Sequence, residues 1–116
     1  MFSSLANAIE ALRKGVPIVI VDDQDRENEG DLVVAAECAN QFNINFMIKH
    51  GSGVICVATT KDQLLKLELI NDTPTLPQKA DKFNTPFALS CDAKHDVTTG
   101  ISAADRAHTK IGRAHV

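Results

Sequence analysis

Apolar positions along the chain switch between helical and strand spacing, and the switches mark out short elements. Leu5, Ala6, Ile9 and Leu12 recur at helical spacing, Ser3 or Ser4 offers a cap, and Gly15 with Pro17 stops the pattern, so residues 4–14 read as one amphipathic helix. Pro17 to Val21 is an unbroken, β-branched apolar run, as expected of a strand covered on both faces, and Leu32 to Ala36 reads as a second strand. Asn40 caps a predicted helix over residues 41–50, in which Phe42 and Phe46 with Ile44 and Ile48 form a broad apolar stripe. Gly51-Ser52-Gly53 ends it, Val54 to Thr59 reads as a third strand, and Thr60 to Leu69 as a short leucine-rich helix. Pro74 and Pro77 make residues 70–85 a loop, and Pro86 to Ala93 is the next predicted strand. Thr98-Thr99-Gly100 leads into a last helix, with Ser102 as N-cap and Asp105 in the reciprocal capping position.

Between the first two strands lies DDQDRENEGD, Asp22 to Asp31, with acids at Asp22, Asp23, Asp25, Glu27, Glu29 and Asp31. Five of the six sit at odd positions, so an extended backbone would line five carboxylates along one side. Such crowding is relieved by water or by a cation. Because the run joins two apolar segments it is not a tail, and Asn28 and Gly30 allow a positive-φ turn inside it. A helix-loop-helix calcium site starting at Asp25 fails, since its twelfth position is Ala36 where a Glu is needed.

Composition changes this picture little. The chain has 116 residues, 44% hydrophobic and 23% charged, which suits one soluble domain. A net charge of -3 without a Lys/Arg cluster argues against a nucleic-acid partner. No signal-like or membrane-length apolar run is present, so the expected location is cytoplasmic, away from membranes. Cys38, Cys56 and Cys91 form no CxxC pair, which favours reduced thiols over a disulfide frame or zinc site. Thr98-Thr99-Gly100 ahead of a helix is a common phosphate-binding arrangement, because helix N-termini offer free N–H groups to anions.

Three stretches together carry a family resemblance: DDQDRENEGDL at Asp22–Leu32, HGSGVICV at His50–Val57 and TTGISAADRAHT at Thr98–Thr109. In type and order they resemble 3,4-dihydroxy-2-butanone 4-phosphate synthase, a lyase of riboflavin biosynthesis. The resemblance implies an α+β fold, a three-layer α/β/α arrangement around a mixed sheet, of which this chain carries the amino-terminal half. It implies conversion of D-ribulose 5-phosphate to 3,4-dihydroxy-2-butanone 4-phosphate and formate, with magnesium or manganese polarising the ketose oxygens. It assigns Arg26, Glu27, Asp31 and Thr99 to substrate contact and Glu27 to the metal. Glu27, Glu29, Asp31 and Cys56 are the catalytic candidates, with Glu29 as proton-transfer group and Cys56 lining the site. It also implies a homodimer, Thr99 reaching into the partner's site, and two groups further along the family chain, a second metal-ligating His and a substrate-binding Glu.

Two other readings remain, a divalent-ion-binding module without catalysis and a structural protein whose acidic loop only solubilises it. The resemblance stops before Ile111–Val116. Read as the codons ATC GGA AGA GCA CAC GTC, these six residues match one frame of a common sequencing-library adaptor, so the expected division is 1–110 as synthase domain and 111–116 as a non-native tail. The fragment is expected to be inactive alone, with unpaired strand edges.

Overall fold

The structure, a computed structural model, describes residues 2–70 and 87–114. It divides into two compact units, one of Met1–Cys56 with Asp92–Val116 and one of Val57–Cys91.

The first unit opens with helix α1, Leu5–Arg13, where the side chain of Ser4 accepts the N–H of Asn7 at 3.3 Å. Gly15, at φ 70°, then turns the chain into strand β1, Ile18–Val21. Strand β2, Gly30–Val33, returns antiparallel, with Ile18 opposite Val33 and Val21 opposite Gly30. A 3-10 turn at Ala36–Cys38 leads to helix α2, Gln41–His50, capped by Asn40, whose Oδ1 accepts the N–H of Asn43 at 2.9 Å. After the second unit the chain comes back as helix α4, Ala103–Ala114, which packs on α2 and on the 3-10 turn. The core lies at that junction: Ile44, Ala39 and Ala107 are buried, with Val34, Met47, Ile55 and Ala103 packed around them.

Asn43 is the polar member of this core. Its side-chain amide donates to the carbonyls of Gly15 at 3.1 Å and Cys38 at 2.9 Å, tying the end of α1 and the 3-10 turn to α2. The Cys38 carbonyl also accepts the N–H of Asn40 at 2.8 Å, and the two bonds made by the Asn43 amide offset the cost of burying it beside an apolar cluster.

In the second unit helix α3, Lys61–Lys66, carries a reciprocal capping box between Thr60 and Gln63. The N–H of Leu89 donates to the carbonyl of Leu69 at 3.2 Å, and Leu69 is buried.

Helices plus a small antiparallel sheet give the expected α+β class. Several local expectations change. The second strand runs over Gly30–Val33 and not Leu32 to Ala36, because Ala36 enters the 3-10 turn, and β1 is not covered on both faces, since Val19, Ile20 and Val21 are at least half exposed. Residues 54–59 and 87–93 form no strand, because a strand exists only through its pairing and neither run finds a sheet partner among the described residues. Helix α3 ends at Lys66, short of Leu69, where Glu68 takes a positive φ of 55°. Phe42 lies outside the core at 77% exposure, since α4 covers only the Asn43, Ile44 and Met47 side of α2. The loop expected at residues 70–85 falls outside the described residues apart from Ile70.

Candidate active site

The acidic run is the connection of the β1–β2 hairpin, and it is not extended. Residues 24–27 form a turn, closed by the N–H of Arg26 donating to the carbonyl of Asp23 at 3.0 Å. The expected row of five carboxylates along one side is therefore replaced by a folded loop, which separates the charges that an extended run would crowd. Asn28, at φ 54°, supplies the left-handed residue. Gly30 does not: it pairs with Val21 in the sheet, where a Cβ would meet the Val19 Cγ1 at 3.3 Å.

What holds the loop is the carboxylate of Asp22. Oδ1 accepts the N–H of Glu29 at 2.8 Å, and Oδ2 accepts both the N–H of Glu27 at 3.0 Å and the Arg26 Nη1 at 2.9 Å. These bonds hold the Asp22 carboxyl below the ordinary carboxylate range, the Glu29 N–H chiefly, then the Glu27 N–H and Arg26, against partial burial that pushes the other way. Arg26 also reaches the Glu27 Oε2 at 3.2 Å, so its guanidinium bridges the carboxylates of Asp22 and Glu27. The family motif by itself assigns Asp22 no role. The signal was faint: an Asp at the entry of a loop containing a residue prone to positive φ, the setting in which a short acid bonds to main-chain N–H groups further along.

The other candidates stand in separate local networks. Asp31 is exposed on β2 opposite Ile20. Cys56 is exposed, its thiol directed at the carbonyl of Val54 at 3.8 Å, while its own carbonyl accepts the Lys110 Nζ at 2.7 Å. Burial lowers the pKa of that Lys110 ammonium, with the neighbouring Cys56 opposing. Thr99 is exposed in the turn before α4, a turn fixed by Asp105. The Asp105 carboxylate accepts the hydroxyl of Thr98 at 2.7 Å and the N–H groups of Thr98 at 3.1 Å and Gly100 at 3.2 Å, and its own N–H donates to the Ser102 Oγ at 3.0 Å. The structural role expected of Ser102 and Asp105 holds, but Asp105 reaches further back than a capping box. Gly100, at φ 78°, could not carry a Cβ without meeting the Asp92 carboxylate at 2.5 Å.

These bonds, led by the Thr98 hydroxyl and N–H, lower the Asp105 pKa against its burial. A carboxyl lowered on folding stabilises the folded state above its unfolded pKa, about 4, and loses that contribution as pH falls through the lower folded value. The amide protons of Thr98 and Gly100 are accordingly expected to stay protected from exchange down to about pH 4 and to lose protection only below it. Loss of protection between pH 5 and 7 would contradict this.

Glu27 offers a hard carboxylate oxygen of the kind that magnesium or manganese takes, on a loop whose main-chain N–H groups are fastened to the Asp22 carboxylate. It is a single carboxylate: among the described residues no three His, Cys, Asp or Glu side chains converge on a possible metal position. None of the helices among those residues is long and apolar enough to cross a membrane.

Comparison with known proteins places this geometry. The family model for 3,4-dihydroxy-2-butanone 4-phosphate synthase matches residues 6–114. The chain is 39% identical to the 3,4-dihydroxy-2-butanone 4-phosphate synthase of Candida albicans, over 94% of this chain and 52% of that one. It is 45% identical to a chloroplastic bifunctional riboflavin biosynthesis protein of Arabidopsis thaliana, over 97% of this chain and 21% of that one. A crystal structure of 3,4-dihydroxy-2-butanone 4-phosphate synthase in complex with two magnesium ions superposes with a TM-score of 0.87 at 38% identity, covering 97% of this chain and 51% of that one. The chain thus spans about half the length of such synthases and less of the bifunctional proteins. With the acidic loop, its anchor and the Thr98–Gly100 turn all inside the matched stretch, the chain belongs to the 3,4-dihydroxy-2-butanone 4-phosphate synthase family of riboflavin biosynthesis.

Proposed function

We propose that the protein to which this chain belongs is a lyase that converts D-ribulose 5-phosphate to 3,4-dihydroxy-2-butanone 4-phosphate and formate, as a cytoplasmic homodimer. The observation that carries the reading is the loop fastened on Asp22, which sets Arg26 and Glu27 side by side at one end of the hairpin. In this reading Arg26 and Asp31 hold the sugar phosphate, Thr99 contacts it from the turn before α4, Glu29 moves protons, and Cys56 lines the site. Glu27 contacts the substrate and would hold the metal, magnesium or manganese, which when bound supplies Lewis-acid polarisation of the substrate oxygens. The two magnesium ions in the related crystal structure support a divalent cation here.

With no full ligand set beside Glu27 among the described residues, the 116-residue chain is expected to release no formate from D-ribulose 5-phosphate and magnesium. The same chain continued with its native downstream coding sequence is expected to release it. Silence from both would overturn the catalytic reading and leave a divalent-ion-binding module, which metal titration of the longer protein would then detect.

Residues 111–116 belong to the same proposal: they are foreign to the gene, although the family match runs to residue 114. Sequencing across this point in the source DNA should show a different continuation after Thr109. A stop codon directly after Val116 would refute it.

A further inference from the structure

The turn before α4 fastens two of its residues and leaves the one between them unengaged. The Asp105 carboxylate accepts the Thr98 N–H on Oδ1 at 3.1 Å, and on Oδ2 it accepts the Thr98 hydroxyl at 2.7 Å and the Gly100 N–H at 3.2 Å. Thr99, between them, is exposed, and among the described residues neither its hydroxyl nor its N–H has a hydrogen-bond partner. The anchor itself is deep. Asp105 is 6% exposed, and its helix is seated in the core through Ala107, with Ala103 packed alongside. From the other side the Asp92 carboxylate lies against Gly100, 2.5 Å from where a Cβ would be, so the turn is confined on two sides. With the N–H groups of Thr98 and Gly100 committed to Asp105, the turn offers a ligand the Thr99 hydroxyl and not the cradle of free N–H groups that its sequence suggests.

We propose that Asp105 is a positioning residue of the synthase site: by fixing Thr98 and Gly100 it holds the Thr99 hydroxyl in place for the sugar phosphate, while its own carboxylate touches neither substrate nor metal. The inference rests on the reading of Thr99 as a substrate contact. Helix α4 does not need these bonds for its cap, because the Ser102 Oγ already accepts the Asp105 N–H at 3.0 Å and the Ser102 carbonyl accepts the Arg106 N–H at 3.0 Å. The three bonds that the carboxylate makes go to residues ahead of that cap, so they order the turn and not the helix. Bonds to an ionised carboxylate are stronger than those between neutral groups, which suits an anchor for an otherwise exposed turn. Both oxygens are engaged and the residue is buried, which leaves it poorly placed to reach a ligand directly. All of the bonds lie within residues 98–105, so the arrangement is set locally.

The test is a mutant cycle in the protein continued with its native downstream sequence. Thr99→Val removes the hydroxyl and keeps the shape, and it is expected to raise the KM for D-ribulose 5-phosphate about tenfold with kcat within about twofold. Asp105→Asn has one oxygen where two accept, and it should raise KM by a similar factor, again with kcat nearly unchanged. The decisive result is the double variant. If Asp105 acts through Thr99, adding Asp105→Asn to Thr99→Val raises KM by less than about a further twofold. Multiplying losses, an unchanged KM in Asp105→Asn, or a fall confined to kcat each overturns the proposal. Should Asp105→Asn not fold, Thr98→Val deletes one of the three bonds and should raise KM about threefold, with Thr98→Ser restoring it; an unchanged KM in Thr98→Val counts against the proposal. Calorimetric titration of the metal-free protein with D-ribulose 5-phosphate gives the same comparison without turnover. A protein that binds the sugar phosphate but releases no formate would therefore refute the lyase reading and still decide this one, and a protein that does not bind it would overturn both.

Discussion

Glu27→Gln, made in the protein continued with its native downstream sequence, is expected to lower magnesium-dependent formate release by about a hundredfold to a thousandfold. The substitution is nearly isosteric, and the geometry confines its effect. The bond that anchors residue 27 to Asp22 comes from the main-chain N–H, so it survives, and the amide oxygen of Gln can still accept from Arg26. What disappears is the negative oxygen available to a divalent cation. The loss should therefore appear both in metal affinity and in kcat, with the thermal midpoint little changed. If the acidic loop served only to keep the protein soluble, neither readout would move.

The amount of structure legible in the sequence differs between local and non-local features. Ser4, Asn40 and Thr60 cap helices because a hydroxyl or amide oxygen two or three residues ahead of a free N–H is a local arrangement, and the bounds of α2 followed from Asn40 and Gly51 alone. Residues 54–59 carry as much strand character as Ile18–Val21, but strand character becomes a strand only beside a partner, and that information lies elsewhere in the chain. Asn43 was invisible for a related reason. Its value comes from the carbonyls of Gly15 and Cys38, the first 28 residues away in sequence, which no local pattern specifies.

The site divides along the same line. The identities of Arg26, Glu27 and Thr99 came from matching motifs, and the three motif stretches do fall within one family match. Their geometry did not. An alternating row of charges suggests an extended chain only until backbone bonds are considered. Repulsion between carboxylates, the Asn at positive φ and the N–H groups waiting for acceptors all favour a turn with one acid folded inward. That Asp22 is the inward acid, and not Asp23 or Asp25, depends on its place one step beyond the last registered pair of the hairpin, Val21 with Gly30, from which it can reach residues 27 and 29.

This gives Asp22 a consequence distinct from that of Glu27. Asp22→Ala removes the acceptor shared by the Glu27 N–H, the Glu29 N–H and the Arg26 guanidinium. Arg26 and Glu27 remain in the chain but lose their fixed relation, and a displacement of about 1 Å is enough to cost about a hundredfold in rate. The expected fall in kcat/KM of the longer protein is therefore about thirtyfold to a hundredfold, approaching that of Glu27→Gln although the deleted carboxylate need not touch metal or substrate. Asp22→Asn separates positioning from charge. Its single amide oxygen can hold one of the two N–H groups, so it should recover part of the lost rate and part of the amide protection at Glu27 or Glu29. The core formed by Ile44, Ala39 and Ala107 is built from other elements, so the helical signal should be the same in both variants. Full activity in Asp22→Ala would mean that the loop is shaped by bound metal or substrate instead of by this carboxylate, and the anchoring role would have to be abandoned.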